Sequence, residues 1–369
     1  MPLSTSTHRM ALALLLASPL SASAAQSIWA NQSTAAARLV TDYRSERCPK
    51  KPPAAYTGHL QLDSKYDQRD ASKTKLVQRQ SKDTQRIRKQ VQQYIGGLVK
   101  AGQVFQRTRK ASEANTALAC LDQWLDAWAN KSALLSDDAS KTGVASRKWA
   151  LAAIASTLLK VQALSDQRYQ LSEAQARWLG QLSDKVVAEY EPRRYDPGIY
   201  FNNHDYWAAW AVAATGMLLN DDKALAWADV ALRRAFTQLT PGQGDYDYLP
   251  LEVARGRLAA DYSHYALVPL VLLVEAAELN NRALTVQERE KIARLANFAA
   301  RAVLEPDTLV ELTTRQEDVG EHKMVWLLPF LSRYPQHQWA RRMYQEYGED
   351  INHYSQVGGD LKPLYPQLN

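Results

Sequence analysis

Apolar residues recur at three- and four-residue spacing through most of residues 85–346, a period that lines one face of an α-helix rather than one face of a strand. Ser172 with Gln175 and Thr285 with Glu288 stand where a capping box opens such a pattern, so helices are predicted over 172–190 and 285–303. The same spacing predicts further helices over 85–108, 113–130, 146–163, 205–220, 222–237, 252–279 and 336–346. Short β-branched alternations are few, and no two are joined by a tight hairpin turn. The fold class is therefore all-α. Roughly ten helices joined by loops that are often short favour successive antiparallel hairpins, which either close into a ring or stack as a solenoid. No repeat of about 34 or 40 residues runs through the sequence, which favours a toroid over a repeat array.

The N-terminus follows a different rule. His8 and Arg9 precede an apolar run from Met10 to Leu20, and small residues follow from Ser21 to Ala25. This is the pattern of a secretory signal peptide over residues 1–25, with Ala22-Ser23-Ala24 as the small-x-small cleavage signal and the mature chain starting at Ala25 or Gln26. No later stretch holds about 18 uninterrupted apolar residues, so a soluble, exported, periplasmic protein is expected, with residues 26–369 as one domain and no membrane span. After Gln26, the run Cys48-Pro49-Lys50-Lys51-Pro52-Pro53 cannot be helix interior and reads as an extended arm leading into the domain.

Export changes the meaning of the two cysteines. An even count in an oxidising compartment predicts a Cys48–Cys120 disulfide, which closes a separation of 72 residues and on the chain-entropy model stabilises by about 4 kcal/mol. Between those cysteines lies most of the charge asymmetry: Lys65 to Lys89 holds nine Lys or Arg against three Asp. Such a segment attracts a polyanion, or is simply a solvated helix face and loop. The aromatic residues are 18 Tyr and 10 Trp but only five Phe, a bias toward rings with one polar end that suits a wet, sugar-binding cleft as well as a core with satisfied tips.

Two segments carry candidate chemistry. In Phe201-Asn202-Asn203-His204-Asp205-Tyr206-Trp207-Ala208-Ala209-Trp210, two Asn and a His fall at a predicted helix N-terminus, where backbone N–H groups already favour an anion. The same residues also suit an N-cap followed by a core stripe. In Leu249-Pro250-Leu251-Glu252-Val253-Ala254-Arg255-Gly256-Arg257-Leu258 and on to Asp261-Tyr262-Ser263-His264-Tyr265, Arg255 and Tyr262 are seven apart, which on one helix leaves both on one face. An Arg beside a Tyr favours the phenolate. His322, near Glu317, Asp318 and Glu321, lacks a metal-ligand spacing and reads as part of a polar loop.

At this point the sequence resembles the alginate lyases of polysaccharide lyase family 5, from about Cys48 to Gly358-Gly359. The resemblance is carried by Ser64-Lys65-Tyr66, Ser136-Asp137-Asp138, Arg147-Lys148-Trp149-Ala150-Leu151, Asn202-Asn203-His204 with Tyr206-Trp207-Ala208-Ala209-Trp210, and Tyr265-Ala266-Leu267 with Pro269-Leu270. It implies an incomplete (α/α) toroid around a deep cleft, a mobile lid carrying Lys65-Tyr66, and β-elimination on an acidic, mannuronate-rich polysaccharide. Asn203, His204 and Arg255 are then expected to neutralise the uronate carboxylate while Tyr262 transfers the proton. Lys65, Tyr66, Lys148, Trp149, Asn202, Tyr206 and Trp207 are expected to bind substrate. Neither a metal nor an organic cofactor is expected, nor a nucleic-acid partner, and the chain is expected to act as a monomer.

Three positions depart from the family pattern: Asp205 stands where Ser is expected, Leu328 where Glu is expected, and Gln356 where Arg is expected. The last removes a charge that would grip a substrate carboxylate away from the cut bond. Other functions remain open. A lyase for polyglucuronate or hyaluronan shares the same chemistry, a glycoside hydrolase needs a facing pair of carboxylates, and a non-catalytic polyuronate binder needs no Tyr262.

Overall fold

The computed structural model describes residues 24–30, 35–195, 200–351 and 353–368; the predicted signal peptide, except its last two residues, lies outside the described residues. Eleven α-helices carry the described fold: α1 (Lys82–Arg107), α2 (Ala111–Ala129), α3 (Lys141–Leu164), α4 (Glu173–Tyr195), α5 (Asn203–Leu219), α6 (Asp222–Gln238), α7 (Pro250–Val253), α8 (Ala259–Leu279), α9 (Val286–Leu304), α10 (Leu327–Arg333) and α11 (Gln338–Tyr347). Their starts follow from local chemistry. Ser81, Ser140, Asp221 and Thr285 each accept a hydrogen bond from a first-turn N–H, which satisfies donors that the helix itself leaves without partners. Both predicted capping boxes form, at Thr285–Glu288 and at Ser172–Gln175.

The helices divide into two layers because their sequences do. In α3, α5 and α8 nearly every residue is buried, whereas α2, α4, α6 and α9 bury one face. Accordingly α1, α3, α5 and α8 pack in succession as an inner layer, and α2, α4, α6 and α9 cover it from outside. This is an incomplete (α/α) toroid with α1 and α8 at the two ends of the inner layer. One hydrophobic cluster runs through it from Trp29 to Tyr365. The α8 region is long and apolar enough to cross a membrane by length and composition, but 78% of its most apolar window is buried inside this fold.

The helix predicted over 252–279 is a correction. It is broken into α7, a 3-10 turn at Gly256–Leu258, and α8. The break follows from Gly256, whose φ of +59° an ordinary side chain rarely adopts. Gln316 braces the bend: its Nε2 donates to Gly256 O at 3.2 Å, and its Oε1 accepts from Ala260 N at 2.9 Å. A two-stranded antiparallel ribbon, β1 (Thr240–Pro241) with β2 (Asp247–Tyr248), was also not expected from the sequence, because two-residue strands leave no alternation to read.

The extended arm after Cys48 runs along α2, with Trp124 Nε1 donating to Lys50 O and Trp128 Nε1 to Pro53 O. It then pairs Leu60 with Ala139 at the start of α3. Gly143 permits that approach, since a Cβ there would lie 1.8 Å from Leu60 O. Cys48 and Cys120 are joined, as predicted, across 72 residues. Removing the link in a Cys48→Ser, Cys120→Ser double variant should lower unfolding stability in urea by about 4 kcal/mol. An unchanged transition midpoint would mean that the arm is held by its packing alone.

Candidate active site

The site is assembled from the N-terminus of α5, the α7–α8 bend and the segment that precedes α1. Asn202 caps α5: its side chain accepts from His204 N at 3.1 Å, while the Asp205 carboxylate accepts from Asn202 N at 2.9 Å. This fixes Asn203 and His204 on the first turn, where the helix dipole favours negative charge. Asp205 is itself held by Arg193, at 2.7 and 2.8 Å. Behind the imidazole, the fully buried Lys148 lies with Nζ 2.9 Å from His204 Nδ1. Burial first, then the charges of Lys148, Arg193 and Arg255, push His204 well below the ordinary histidine range. Burial likewise pushes Lys148 well below the ordinary lysine range. A charged Lys148 donates to Nδ1 and keeps the ring proton on Nε2; a neutral one can accept from Nδ1 and leave Nε2 a base.

On the opposite side, the bend brings the Arg255 guanidinium to 3.9 Å from the centre of the Tyr262 ring. The two are neighbours because the chain turns back between them, not because they share a helical face. The phenol is not readied for proton loss by Arg255 alone. Burial raises Tyr262 above the ordinary tyrosine range, and the opposing effect of Arg255 is smaller. The missing partner is Tyr66, whose hydroxyl is 2.8 Å from that of Tyr262. At Tyr66 burial is outweighed by the Tyr262 hydrogen bond and the nearby Lys65 and Arg255 charges, which leave it below the ordinary tyrosine range. The pair thus forms one short proton path, with Lys65 beside Tyr66 and Arg255 nearest the Tyr262 ring.

The segment holding Tyr66 is a small loop organised by Asp70, which accepts from Ser72 N, Thr74 N and Lys75 N at 3.1, 2.7 and 2.8 Å. Asp67 N donates to Lys75 O and Val77 N to Lys65 O, both at 2.9 Å. Its tip meets the bend through hydrogen bonds from Arg255 to Lys73 O and from Arg257 to Thr74 O. The loop is seated over the site in this structure.

Several expected substrate contacts lie elsewhere. Tyr206 and Trp207 are core residues: the Tyr206 hydroxyl donates to Gln238 Oε1, and Trp207 Nε1 donates to Tyr265 O. Asn202 is engaged as a cap, and the buried Lys148 is turned to His204. The half-buried Trp149 ring packs beside His204, 5.5 Å away, and Lys65 is exposed next to Tyr66. Glu252 and Gln316 have roles here that the sequence does not announce. The buried Glu252 accepts from Asn203 N at 2.9 Å and from Asn203 Nδ2 at 3.0 and 2.8 Å. The only signal for it was a carboxylate three residues before Arg255 in an apolar run. Among the described residues, no three His, Cys, Asp or Glu side chains converge to hold a metal ion, and His322 packs against the Tyr354 ring.

This arrangement of a paired phenol, a guanidinium and a capped Asn-His can be set beside known proteins. The alginate lyase family model matches residues 61–309. The sequence is 30% identical over 333 residues to an alginate lyase of Pseudomonas fluorescens strain Pf-5, covering 87% of this chain and 85% of that one. The chain belongs to the alginate lyase family. An alginate lyase of Cobetia marina is 31% identical over 309 residues, covering 80% of this chain and 78% of that one. Among solved structures, alginate lyase A1-III from Sphingomonas species A1 superposes with a TM-score of 0.67 at 17% identity, covering 94% of this chain and 99% of that one. Alginate lyase A1-III complexed with tetrasaccharide, as a histidine variant, gives 0.70 at 17% identity, covering 94% and 98%.

Within the alginate lyase pattern, the three departures acquire local explanations. Asp205 performs the capping that a Ser there could perform and adds the ion pair with Arg193. Leu328 is buried in the core. Gln356 turns inward, accepting from the Tyr354 hydroxyl and donating to the Tyr265 hydroxyl, so this position brings an amide rather than a charge.

The loop carrying Tyr66 is held mainly by hydrogen bonds at the surface, and its Leu76 is 67% exposed. Little apolar burial opposes its opening, so the amides of Asp67 and Val77 should exchange rapidly in the free protein. They should slow when an oligouronate is bound. Equal, slow exchange in both states would show a fixed cover rather than a lid.

Proposed function

We propose that this chain cleaves mannuronate-rich alginate in the periplasm by syn β-elimination, as a monomer and without a metal or organic cofactor. The chain is a polysaccharide lyase of the alginate lyase family; the sugar preference, residue roles and compartment are the reading proposed. The observation that carries it is the Tyr262 hydroxyl, paired to Tyr66 and faced by Arg255, across from the first turn of α5.

The reaction requires removal of a weakly acidic proton from C5 and departure of the glycosidic oxygen from C4. As the C5–H bond breaks, its electron pair moves toward the adjacent carboxylate and gives an enolate-like state. Fixed donors and positive charge must stabilise that state. Arg255, His204 through Nε2 and the side-chain amide of Asn203 take this role at the carboxylate. Deprotonated Tyr262 takes the C5 proton. Loss of one proton from the Tyr66–Tyr262 pair leaves a single proton that can move along their hydrogen bond, so Tyr262 reaches the phenolate state by passing its proton to Tyr66. In mannuronate, C5–H and the C4 oxygen lie on the same side, so Tyr262 then returns the proton to the leaving oxygen. The C4–O bond breaks, a C4–C5 double bond forms, and no group outside the site is consumed.

Tyr262→Phe removes only the hydroxyl. Turnover should drop by at least about 10²-fold while polymer binding largely persists, measured by ultraviolet absorbance of the unsaturated product and by calorimetry. Near wild-type product release from this variant would move the proton transfer elsewhere. The sugar preference has its own test, with polymannuronate, polyguluronate and polyglucuronate supplied separately to the mature protein. Product should appear fastest from polymannuronate; an equal or faster rate on either other polymer would overturn that part of the reading.

A further inference from the structure

The contacts of Asn203 conflict with the task proposed for it. Both Nδ2 contacts go to Glu252, and the amide oxygen Oδ1, turned away from that carboxylate, is buried without a partner. A substrate carboxylate needs a donor, yet this orientation offers it an acceptor. An amide has a second orientation with nearly the same shape, in which oxygen and nitrogen exchange places. That orientation puts Oδ1 against Glu252, where two acceptors would face each other unless Glu252 carried a proton.

We propose that Glu252 is a positioning residue that selects the orientation of the Asn203 amide by its own protonation. As a carboxylate, it accepts from Asn203 Nδ2 and holds the amide nitrogen away from the substrate. As a carboxylic acid, it keeps the hydrogen bond from Asn203 N on one oxygen and donates its O–H to Asn203 Oδ1. Nδ2 is then released toward the uronate carboxylate. The balance is one proton gained by Glu252 and one donor gained by the site, with no covalent bond made or broken.

The surroundings suit such a switch. Glu252 is 1% exposed, and Asn203 likewise. The charged and titratable groups that act on Glu252 come from every side: Arg255 from the bend, Asp205 and Tyr206 from α5, and Tyr265 from α8. Burial, the largest influence, raises Glu252 to about 7, against the Asn203 hydrogen bonds and the Arg255 charge that lower it, while Asp205 raises it further. The phenols of Tyr206 and Tyr265 are held neutral by burial over this range. The donor orientation belongs to protonated Glu252, so it is present below that value and is lost as pH rises through it. A bound uronate carboxylate, being an anion, shifts Glu252 further toward the protonated form.

The inference rests on the proposed role of Asn203 in binding the substrate carboxylate, and Glu252→Gln tests it. Gln has the shape of the protonated acid: its amide N–H can donate to Asn203 Oδ1 while its carbonyl accepts from Asn203 N. If Glu252 acts as proposed, the variant keeps kcat/KM close to the wild-type value at acidic pH and loses the wild-type decline centred near pH 7. If Glu252 serves only as a fixed carboxylate, the variant loses about tenfold or more at every pH, the scale of one charge-assisted hydrogen bond. That result, or a pH profile identical to wild type, overturns the proposal. A second measurement does not depend on turnover or on this variant folding well. In free wild-type protein with 15N-labelled asparagine, the Asn203 side-chain signal, identified by its loss in Asn203→Ala, should shift with pH through a midpoint near 7. A signal that stays fixed across that range overturns the proposal even if the variant is inactive, whereas wild-type protein inert on every polyuronate would count against the functional reading alone.

Discussion

The approach of Arg255 to the face of Tyr262 is the contact on which the site depends, and it exists because the inner layer is interrupted at one place. In an unbroken helix, seven residues would separate the two along the axis by about 10.5 Å. The left-handed glycine at 256 and the Gln316 brace fold that distance away and bring the guanidinium to 3.9 Å from the ring. The same charge acts on His204, Glu252 and Tyr66. Side chains from three separate stretches of sequence thereby share one electrostatic environment.

That environment gathers Arg255, Arg193, Lys148 and His204 around two buried carboxylates, Asp205 and Glu252. Lys148 and His204 sit together 2.9 Å apart, and burial drives both toward their neutral forms. Arg255 is half-buried, with its Nε lacking a partner. Buried donors of this kind favour an anion. The loop that carries Tyr66 completes the site by supplying the second phenol and by covering the bend.

Much of this is legible in the sequence where the cause is local. Helix starts at Ser172 and Thr285 are announced by residues three apart, and Asn203-His204 falls on a first turn because Asn202 is a cap. The disulfide follows from the even cysteine count. What is not legible depends on contacts between distant segments. The seven-residue spacing of Arg255 and Tyr262 suggests a shared face, and only Gly256 hints that the chain bends instead. Tyr206 and Trp207 look like sugar-binding rings because the sequence does not reveal that almost the whole of this helix is buried. The pairing of Glu252 with Asn203 spans 49 residues and leaves no periodic trace.

The proposed tyrosinate at Tyr262 removes the C5 proton on the face from which the C4 oxygen departs. Polymannuronate carrying deuterium at C5 tests this most directly, by its rate of cleavage and by the isotope content of the products. Turnover should be slower than with the unlabelled polymer, and each newly formed unsaturated end should lose the label. New non-reducing ends that retain deuterium at C5, or label loss at the wild-type rate in Tyr262→Phe, would contradict that proposal.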